Sequence, residues 1–195
     1  CFVILLSCTF SFMLARFPFK GSGILIGLFF AGMMIPVHCT LIPLYNMMNM
    51  AGLIDHLWAL LFPYVASSLP IAVFLTYGHY QQLPKELEEA ARIDGCSVTG
   101  MFFRVFLPLS KPVISTISIL TALSAWNEFM FANVFLSDPN QKTLPIGLLA
   151  LKGTYSTDYA ALCAALTMSA VPIILVYVLM SNKIQSGMVA GAVKS

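Results

Sequence analysis

The chain alternates long apolar runs with short polar segments. No Asp, Glu, Lys or Arg occurs between Lys20 and Asp55, between Asp55 and Lys85, or between Asp158 and Lys183. A helix that crosses a membrane needs about 20 mainly apolar residues, and each charge-free stretch can hold one. The pattern predicts an all-α membrane protein with five spanning helices, at about residues 1–16, 22–45, 57–80, 113–136 and 159–181.

The composition points to the same class of protein. Hydrophobic residues make up 59% and charged residues 9%, far from the usual content of soluble domains. The net charge of +2 is small and no Lys/Arg-rich run concentrates it, so the expected partner is a lipid bilayer and not nucleic acid. The five cysteines lack a Cys-x-x-Cys pair and are interpreted as small hydrophobic residues.

Nothing in the sequence predicts a metal or nucleotide site on this chain. His38, His56 and His79 are far apart and lack a helical i, i+4 partner, a spacing that does not suit a metal site. A phosphate-binding Gly-x-x-x-x-Gly-Lys-Ser/Thr loop is also missing from the sequence. An intramembrane enzyme that uses Glu128 with His38 or His79 is a weak alternative, because no paired acids or nucleophile with a base accompany them.

The distribution of cations predicts the orientation. We assume that the loop after the first run, the polar insert (residues 81–111) and the tail (residues 182–195) share one side of the membrane. That side then carries eight cations and the other only Lys142 and Lys152; the eight are Arg16, Lys20, Lys85, Arg92, Arg104, Lys111, Lys183 and Lys194. Because cytoplasmic loops are enriched in Lys and Arg, the polar insert and the C-terminus are predicted to be cytoplasmic.

The start of the chain suggests a longer parent. Cys1 enters the first apolar run directly, with no charged residue before it. Five spans with a cytoplasmic C-terminus place this start outside, and one more span would return the N-terminus to the cytoplasm. We therefore expect an N-terminally truncated form of a six-span protein, which folds poorly or is inactive by itself.

The polar insert is predicted to form two short helices joined by a turn. Pro84 suits the first turn of a helix, where its missing N–H does no harm, and Glu88 and Arg92 are four apart in the favourable order. Gly95 suits a left-handed helix end, and Ser97 can cap a second helix that ends at Leu107 and Pro108.

The residues of the polar insert suggest a partner. Ala90 and Ala91 are small enough to admit a neighbouring backbone, whereas Met101, Phe102 and Phe103 are costly to expose. A buried interface with another protein explains both. An interfacial amphipathic segment would have the same composition, so this pattern alone leaves the two possibilities open.

A family resemblance bears on that choice. The insert reads Glu89-Ala90-Ala91, three residues, Gly95, nine residues, Val105-Phe106-Leu107-Pro108. This spacing resembles the cytoplasmic Glu-Ala-Ala loop of permeases from binding-protein-dependent ABC importers, with Cys96 where relatives often have Ala. The segments Arg16–Gly21, Ser124–Phe129 and Gly187–Lys194 are similar to carbohydrate-uptake permeases of the maltose and glycerol-3-phosphate type, the second of two paired subunits, and the last one matches that family's C-terminus.

The resemblance implies a fold, a function and partners. It implies the type I ABC importer permease fold, a polytopic helical bundle in the bacterial inner membrane that imports a sugar, oligosaccharide or polyol derivative. The implied partners are a paired permease subunit, an ABC ATPase dimer that binds ATP and Mg, and an extracytoplasmic solute-binding protein; this chain itself would bind no cofactor. A permease for amino acids or peptides, or a channel or scaffold without ATP coupling, are the alternatives.

The resemblance also assigns residues to the ATPase. The predicted coupling residues are Glu88, Glu89, Ala90, Ala91, Asp94, Gly95, Met101, Phe102, Phe103 and Pro108. Glu88 and Glu89 are expected to form ion pairs, the small residues to allow close packing, and the apolar ones to fill a cleft. Gly187, Gly191 and Lys194 of the tail are expected to reach the ATPase dimer.

Polar residues cross the fourth apolar run. Ser118, Thr121, Ser124 and Glu128 share one helical face. They can line a solute path, in which Ser124, Trp126, Asn127 and Glu128 would contact sugar. Alternatively they pack helices together, as small polar residues commonly do in membranes. By resemblance, solute contacts can lie mainly on the partner permease, which favours the packing interpretation.

Overall fold

The computed structural model describes residues 1–152 and 158–192, with side chains as far as Val178. The described chain is helical and contains no strand. Its α-helices are α1 (Phe2–Arg16), α2 (Ser22–Gly32), α3 (Leu41–Met50), α4 (Trp58–Gln82), α5 (Glu86–Ile93), α6 (Val98–Met101), α7 (Leu107–Leu109), α8 (Lys111–Asn127), α9 (Met130–Phe135), α10 (Leu144–Ala150) and α11 (Tyr159–Ala192). Short 3-10 turns occupy Val37–Thr40 and Pro139–Gln141, and a π-turn occupies Phe102–Phe106.

Two described helices are long and apolar enough to cross a membrane, namely α4 and the Tyr159–Val178 part of α11. Up to four spans result if each of two bent helix pairs is one span. One pair joins α2 to Val37–Met50 at 93°, and the other joins Val98–Leu109 to α8 at 73°. The apolar α1 is shorter, with 15 residues. The predicted five spans and their boundaries stay a prediction.

Two of the predicted runs contain helix breaks. The second run is interrupted between Gly32 and Val37, where Pro36 has no N–H to donate and disfavours a helical conformation of the residue before it. The fourth run is interrupted at Glu128 and Phe129, between α8 and α9. Hydrophobicity alone does not register such breaks, because the residues on both sides remain apolar.

The chain forms two compact units. In the part that the structure describes, the first unit comprises Cys1–Ile35, Ser68–Ser118 and residues 181–192. The second unit comprises Pro36–Ser67 and Ile119–Met180 without residues 153–157.

The first unit has a cluster of buried residues, here called the insert core: Cys8, Phe12, Tyr80, Ala91, Met101, Phe102 and Phe106. Phe12 of α1 lies at its centre, with ring centroids 4.9 Å from Phe106, 5.2 Å from Phe102 and 6.2 Å from Tyr80. For Phe102 and Phe106 of the polar insert, removal from water contributes about 1.5–3 kcal/mol per side chain. The insert core therefore attaches the polar insert to α1 and to the end of α4.

Polar contacts also join α1 to α4. The hydroxyls of Ser11 and Thr76 lie 2.6 Å apart, both side chains are fully buried, and Ser11 also donates to the carbonyl of Val73 at 3.2 Å. Such small hydroxyl residues let two apolar helices approach closely and satisfy each other's hydrogen bonds.

The second unit has its own core, formed by Met48, Ala59, Leu60, Phe131, Ala132, Phe135, Leu136 and Ile146. At its edge Asp55 has a positive φ of 62°, and its carboxylate accepts the backbone N–H groups of Ser137 and of Asp138, the latter at 3.0 Å. These hydrogen bonds hold the pKa of Asp55 below its ordinary value. Asp55 thus ties two loops together, a role that sequence reasoning did not assign.

Candidate functional site

The first half of the polar insert folds as the sequence predicts, except at Pro84. Helix α5 starts at Glu86, carries acids in its first turn and ends at Ile93. Pro84 precedes the N-cap Lys85, so it lies before the helix and not in its first turn as predicted. Gly95 then takes a left-handed φ of +73°, and Ser97 caps the next helix by accepting the N–H of Gly100 at 3.2 Å. The predicted helix, glycine turn and serine cap are confirmed.

The second half of the insert differs from the prediction. The helix does not end at Pro108: a π-turn over Phe102–Phe106 leads into α7, which contains Pro108, and the chain bends after Ser110. Proline has no N–H for the carbonyl four residues earlier, and a π-turn just before it shifts the hydrogen-bond register at that point. The chain therefore turns into α8 two residues later than the sequence suggested.

One face of α5 is exposed. It carries Glu89, Ala90, Ile93 and Asp94, here called the exposed insert face. Ile93 is 86% exposed and lies between the charged side chains of this face. Sequence reasoning missed Ile93, although its spacing of three and four from Ala90 and Glu89 puts it on their face. Phe103 is also exposed, at 57%.

Several residues assigned to a partner are buried within the chain. Met101 is 1%, Ala91 5% and Phe102 6% exposed, and all three belong to the insert core. Sequence reasoning overlooked that α1 and α4 offer an apolar surface inside the same chain, which satisfies these side chains without a partner. They lie in the insert core and not on the exposed insert face. Their role in coupling to an ATPase stays a prediction.

Arg16, at the end of α1, binds both the polar insert and the end of α4. Its Nη2 donates to the carbonyls of Tyr80 and Leu83, each at 2.5 Å, and its Nη1 lies 3.0 Å from Oε1 of Glu88. The guanidinium also lies 5.2 Å from the ring centroid of Phe106. The two side chains of the ion pair are only 5% and 14% exposed.

This ion pair changes the assignment of two charged residues. Glu88, expected to reach an ATPase, is paired inside the chain with Arg16. Arg92 is four residues from Glu88, but Glu88 pairs with Arg16 instead. The guanidinium of Arg92 lies 5.9 Å from the ring centroid of Phe17. Among the acids assigned to coupling, Glu89 and Asp94 are left on the exposed insert face.

Glu128 lies in the break between α8 and α9 and accepts three hydrogen bonds. Tyr64 donates its hydroxyl to Oε2 at 2.6 Å, the N–H of Phe131 reaches Oε1 at 2.7 Å, and the N–H of Ala132 reaches Oε2 at 3.1 Å. The side chain of Glu128, the residue before the N-cap Phe129, therefore caps α9, whose first amides lack partners within the helix. No histidine is among these partners of Glu128.

The other residues of the predicted path are exposed in this chain. Ser124 and Asn127 are exposed and Trp126 is 41% exposed, while Asn127 donates to the carbonyl of Leu123 at 2.8 Å. Ser118 donates back to the carbonyl of Ile114 at 2.7 Å. The structure thus gives Glu128 a structural task, and the solute path stays a prediction.

The predicted tail contact lies beyond the described side chains. Gly187 and Gly191 fall in the last part of α11, and Lys194 lies outside the described residues. Within the ranges that are described, no group of three or more His, Cys, Asp or Glu residues could hold a metal ion.

Apolar helices joined by a short polar insert are typical of a membrane protein. The model of the family described as "Binding-protein-dependent transport system inner membrane component" matches residues 7–186, and the chain belongs to this family. It is therefore a transport subunit of an inner membrane and not an enzyme.

Curated relatives are similar along nearly the whole chain. The probable ABC transporter permease protein YurM of Bacillus subtilis (strain 168) is 42% identical over 98% of this chain. The trehalose/maltose transport system permease protein MalG of Thermococcus litoralis is 34% identical over 94% of it. The arabinooligosaccharides transport system permease protein AraQ of Halalkalibacterium halodurans is 36% identical over 98%. The chain spans 64%, 66% and 70% of these relatives, respectively.

A solved structure has the same fold. The crystal structure of a bacterial ABC transporter involved in the import of the acidic polysaccharide alginate matches with a TM-score of 0.76. The match covers 92% of this chain and 72% of that chain at 21% sequence identity. The predicted type I ABC importer permease fold is confirmed by this likeness and by the family.

Proposed function

We propose that this chain is one of two paired permease subunits in an ATP-driven, binding-protein-dependent importer. An ABC ATPase dimer would bind ATP and Mg, and a solute-binding protein outside the membrane would deliver the solute. The polar insert and the C-terminus would face the cytoplasm, in line with the excess of Lys and Arg on that side. The chain spans 64% of the length of YurM, so the activity of the whole protein belongs to this proposal.

The solute is proposed to be a sugar, an oligosaccharide or a polyol derivative. Relatives are named for trehalose and maltose, for arabinooligosaccharides, for diacetylchitobiose and for sulfoquinovosyl glycerol. These molecules share many hydroxyl groups around saturated rings, which exposed side chains such as Trp126 and Asn127 could contact by stacking and hydrogen bonding.

The exposed insert face is the observation that carries the proposal. An apolar Ile93 between Glu89 and Asp94, on a helix anchored to two other helices, is the kind of surface that docks into a cleft with a basic rim. Closure of the ATPase dimer on ATP would move α5, and α5 would move the ends of α1 and α4. Hydrolysis of ATP would reverse the movement.

The test compares two changes of Ile93 in the full-length protein. The protein is co-expressed with a partner permease, an ATPase and a binding protein from the same organism, and reconstituted into liposomes. Maltose, trehalose, arabinotriose and diacetylchitobiose serve as probes of solute-stimulated ATP hydrolysis and uptake. Ile93→Asp is expected to lower stimulated hydrolysis by about tenfold or more, the loss of a central apolar anchor, while Ile93→Leu retains it.

Three outcomes would contradict the proposal. Unchanged stimulation in Ile93→Asp would remove the exposed insert face from the coupling mechanism. Solute flux that needs no ATP would point to a channel or scaffold. Stimulation by an amino acid or a peptide, with none by the four sugars, would keep the importer but change the class of solute.

A further inference from the structure

We propose that Arg16 is a positioning residue that transmits movement of the polar insert to the membrane helices, through an arrangement here called the Arg16 clamp (Arg16, Glu88 and the carbonyls of Tyr80 and Leu83). The inference rests on the proposed function and deepens it. It assigns to the end of α1 a role in coupling that the exposed insert face by itself does not have.

The Arg16 clamp joins three helices at one guanidinium. Arg16 ends α1, and Glu88 lies in the first turn of α5. The carbonyl of Tyr80 belongs to the last turn of α4, and Leu83 directly follows that helix. A cation is favoured at the end of one helix and an acid at the start of the next, so both helix dipoles support the arrangement. The guanidinium is a planar fork with fixed donor directions, so it constrains orientation as well as distance.

Helix α5 has few other ties to the rest of the unit. Ala91 is its one buried residue, and Arg92, whose guanidinium lies 5.9 Å from the ring centroid of Phe17, is exposed. The second half of the insert, in contrast, contributes Met101, Phe102 and Phe106 to the insert core. The principal polar connection from α5 to α1 and α4 is therefore the Arg16 clamp, whereas the second half is held by apolar packing.

Burial explains why this connection can transmit movement. The side chains of Arg16 and Glu88 are 5% and 14% exposed, so water competes little for their bonds. The loss of one partner leaves the other charge buried and unpaired, which is far more costly than the loss of a surface ion pair. A displaced Glu88 therefore takes Arg16 with it, and Arg16 takes the helix ends whose carbonyls it binds.

The neighbouring acids give an internal comparison. Glu88 belongs to the Arg16 clamp, whereas Glu89 is on the exposed insert face. Glu89→Gln is expected to weaken binding of the ATPase subunits, measured by co-purification at increasing salt. Glu88→Gln is expected to leave that binding unchanged and to reduce solute uptake per ATP hydrolysed. Glu88→Gln keeps both carbonyl bonds of Arg16, so the insert remains attached in this variant.

The experiment uses the full-length reconstituted transporter and measures, per assembled complex, ATP hydrolysis and sugar uptake with the same four probes. Arg16→Gln and Glu88→Gln are expected to lower uptake per ATP by about five- to tenfold, the lower range of typical coupling effects. Lys20→Gln removes a neighbouring but exposed cation and is expected to retain the wild-type ratio. The double variant is expected to be no worse than the worse single variant, because both changes disable one device.

The outcomes separate this inference from the proposed function. If Arg16→Gln and Glu88→Gln lower only the amount of complex, and each assembled complex keeps the wild-type ratio, Arg16 is merely structural and the inference is overturned. Additive losses in the double variant would overturn it as well. A wild-type complex whose solute flux needs no ATP would overturn the proposed function, and the inference with it.

Discussion

At the scale of single residues, neighbours in sequence have different surroundings. Glu88 and Glu89 belong to the same acidic motif, yet one is paired in the interior and the other is exposed. The separation follows from helix geometry, because successive residues point about 100° apart. A sequence motif therefore mixes residues that contact a partner with residues that hold the motif in place.

Gly95 is expected to tolerate Asn better than Val. Its φ of +73° favours glycine, and an added Cβ would meet no atom within 4 Å, so the cost of a side chain is backbone strain and not a clash. That strain is about 1–2 kcal/mol for most residues, and Asn adopts this conformation more readily than β-branched residues. Solute-stimulated ATP hydrolysis should therefore fall more in Gly95→Val than in Gly95→Asn. Equal losses would indicate that contact with a partner limits the size of residue 95.

The Asp55 loop contact is expected to depend on pH. Two backbone N–H groups hold the pKa of Asp55 below its ordinary value. The stabilisation that these hydrogen bonds give to the folded loops is therefore complete above roughly pH 4. It is lost as the pH falls through the lowered pKa. Hydrogen exchange of the Ser137 and Asp138 amides, corrected for intrinsic rates, should show constant protection from pH 7 to about 5 and less protection as the pH falls through the lowered pKa. Asp55→Asn should lower the protection across this range, and equal protection in both proteins would contradict the prediction.

At the scale of elements, the break between α8 and α9 is stabilised by hydrogen bonds within the chain. An interrupted helix exposes unpaired amides, which are costly within a membrane. Glu128 accepts two of these amides and the hydroxyl of Tyr64, so the break is satisfied inside the chain. An acid in an apolar run is thus explained by helix capping, without need of a solute.

Changes of Glu128 and Tyr64 are expected to affect stability in a fixed order. Glu128→Ala leaves the amides of two buried residues unpaired, each at a cost of about 1–3 kcal/mol. Tyr64→Phe removes only the hydrogen bond from the hydroxyl to the carboxylate, at about 1.5–3 kcal/mol, and Glu128→Ala loses this bond as well. The thermal midpoint of the reconstituted complex should therefore fall more in Glu128→Ala than in Tyr64→Phe.

The same two variants test the solute path. If Glu128 acts only as a cap, the sugar concentration for half-maximal uptake stays at the wild-type value in whichever complexes remain folded. A large rise in that concentration for Glu128→Ala, with little change for Tyr64→Phe, would instead place the carboxyl in contact with solute.

At the scale of the whole molecule, charge rather than packing predicts the orientation. Eight of the ten Lys and Arg residues lie in the segments assigned to the cytoplasm, and Lys142 and Lys152 lie in the opposite loop. This bias acts during insertion and does not depend on the final packing of the helices.

Labelling of single cysteines checks the orientation in intact cells. In a full-length protein without its native cysteines, Lys142→Cys should react with a membrane-impermeant thiol reagent added outside. Lys85→Cys in the polar insert should react only after the membrane is opened. Both positions are exposed in the chain, so a missing reaction reports the membrane and not local burial. The reverse pattern would refute the predicted orientation.

The sequence by itself determined the class of the protein and the local structure of the insert. Apolar runs of sufficient length indicate a membrane, and Gly95 and Ser97 predict a turn and a cap, because these effects depend on residues that are near one another in the chain. The motif around Glu89 identified the family for the same reason, since its spacing is a local pattern.

Only the tertiary structure decided which insert residues are inside. Arg16 is 72 positions from Glu88 in the sequence, and no local pattern predicts that the two share a bond. Met101 and Phe102 were expected to need a partner, yet Phe12 of α1 covers them. The tertiary structure likewise turned Glu128 into a helix cap. In each case the free energy of a side chain depends on groups that are distant in sequence, which only the folded chain brings together.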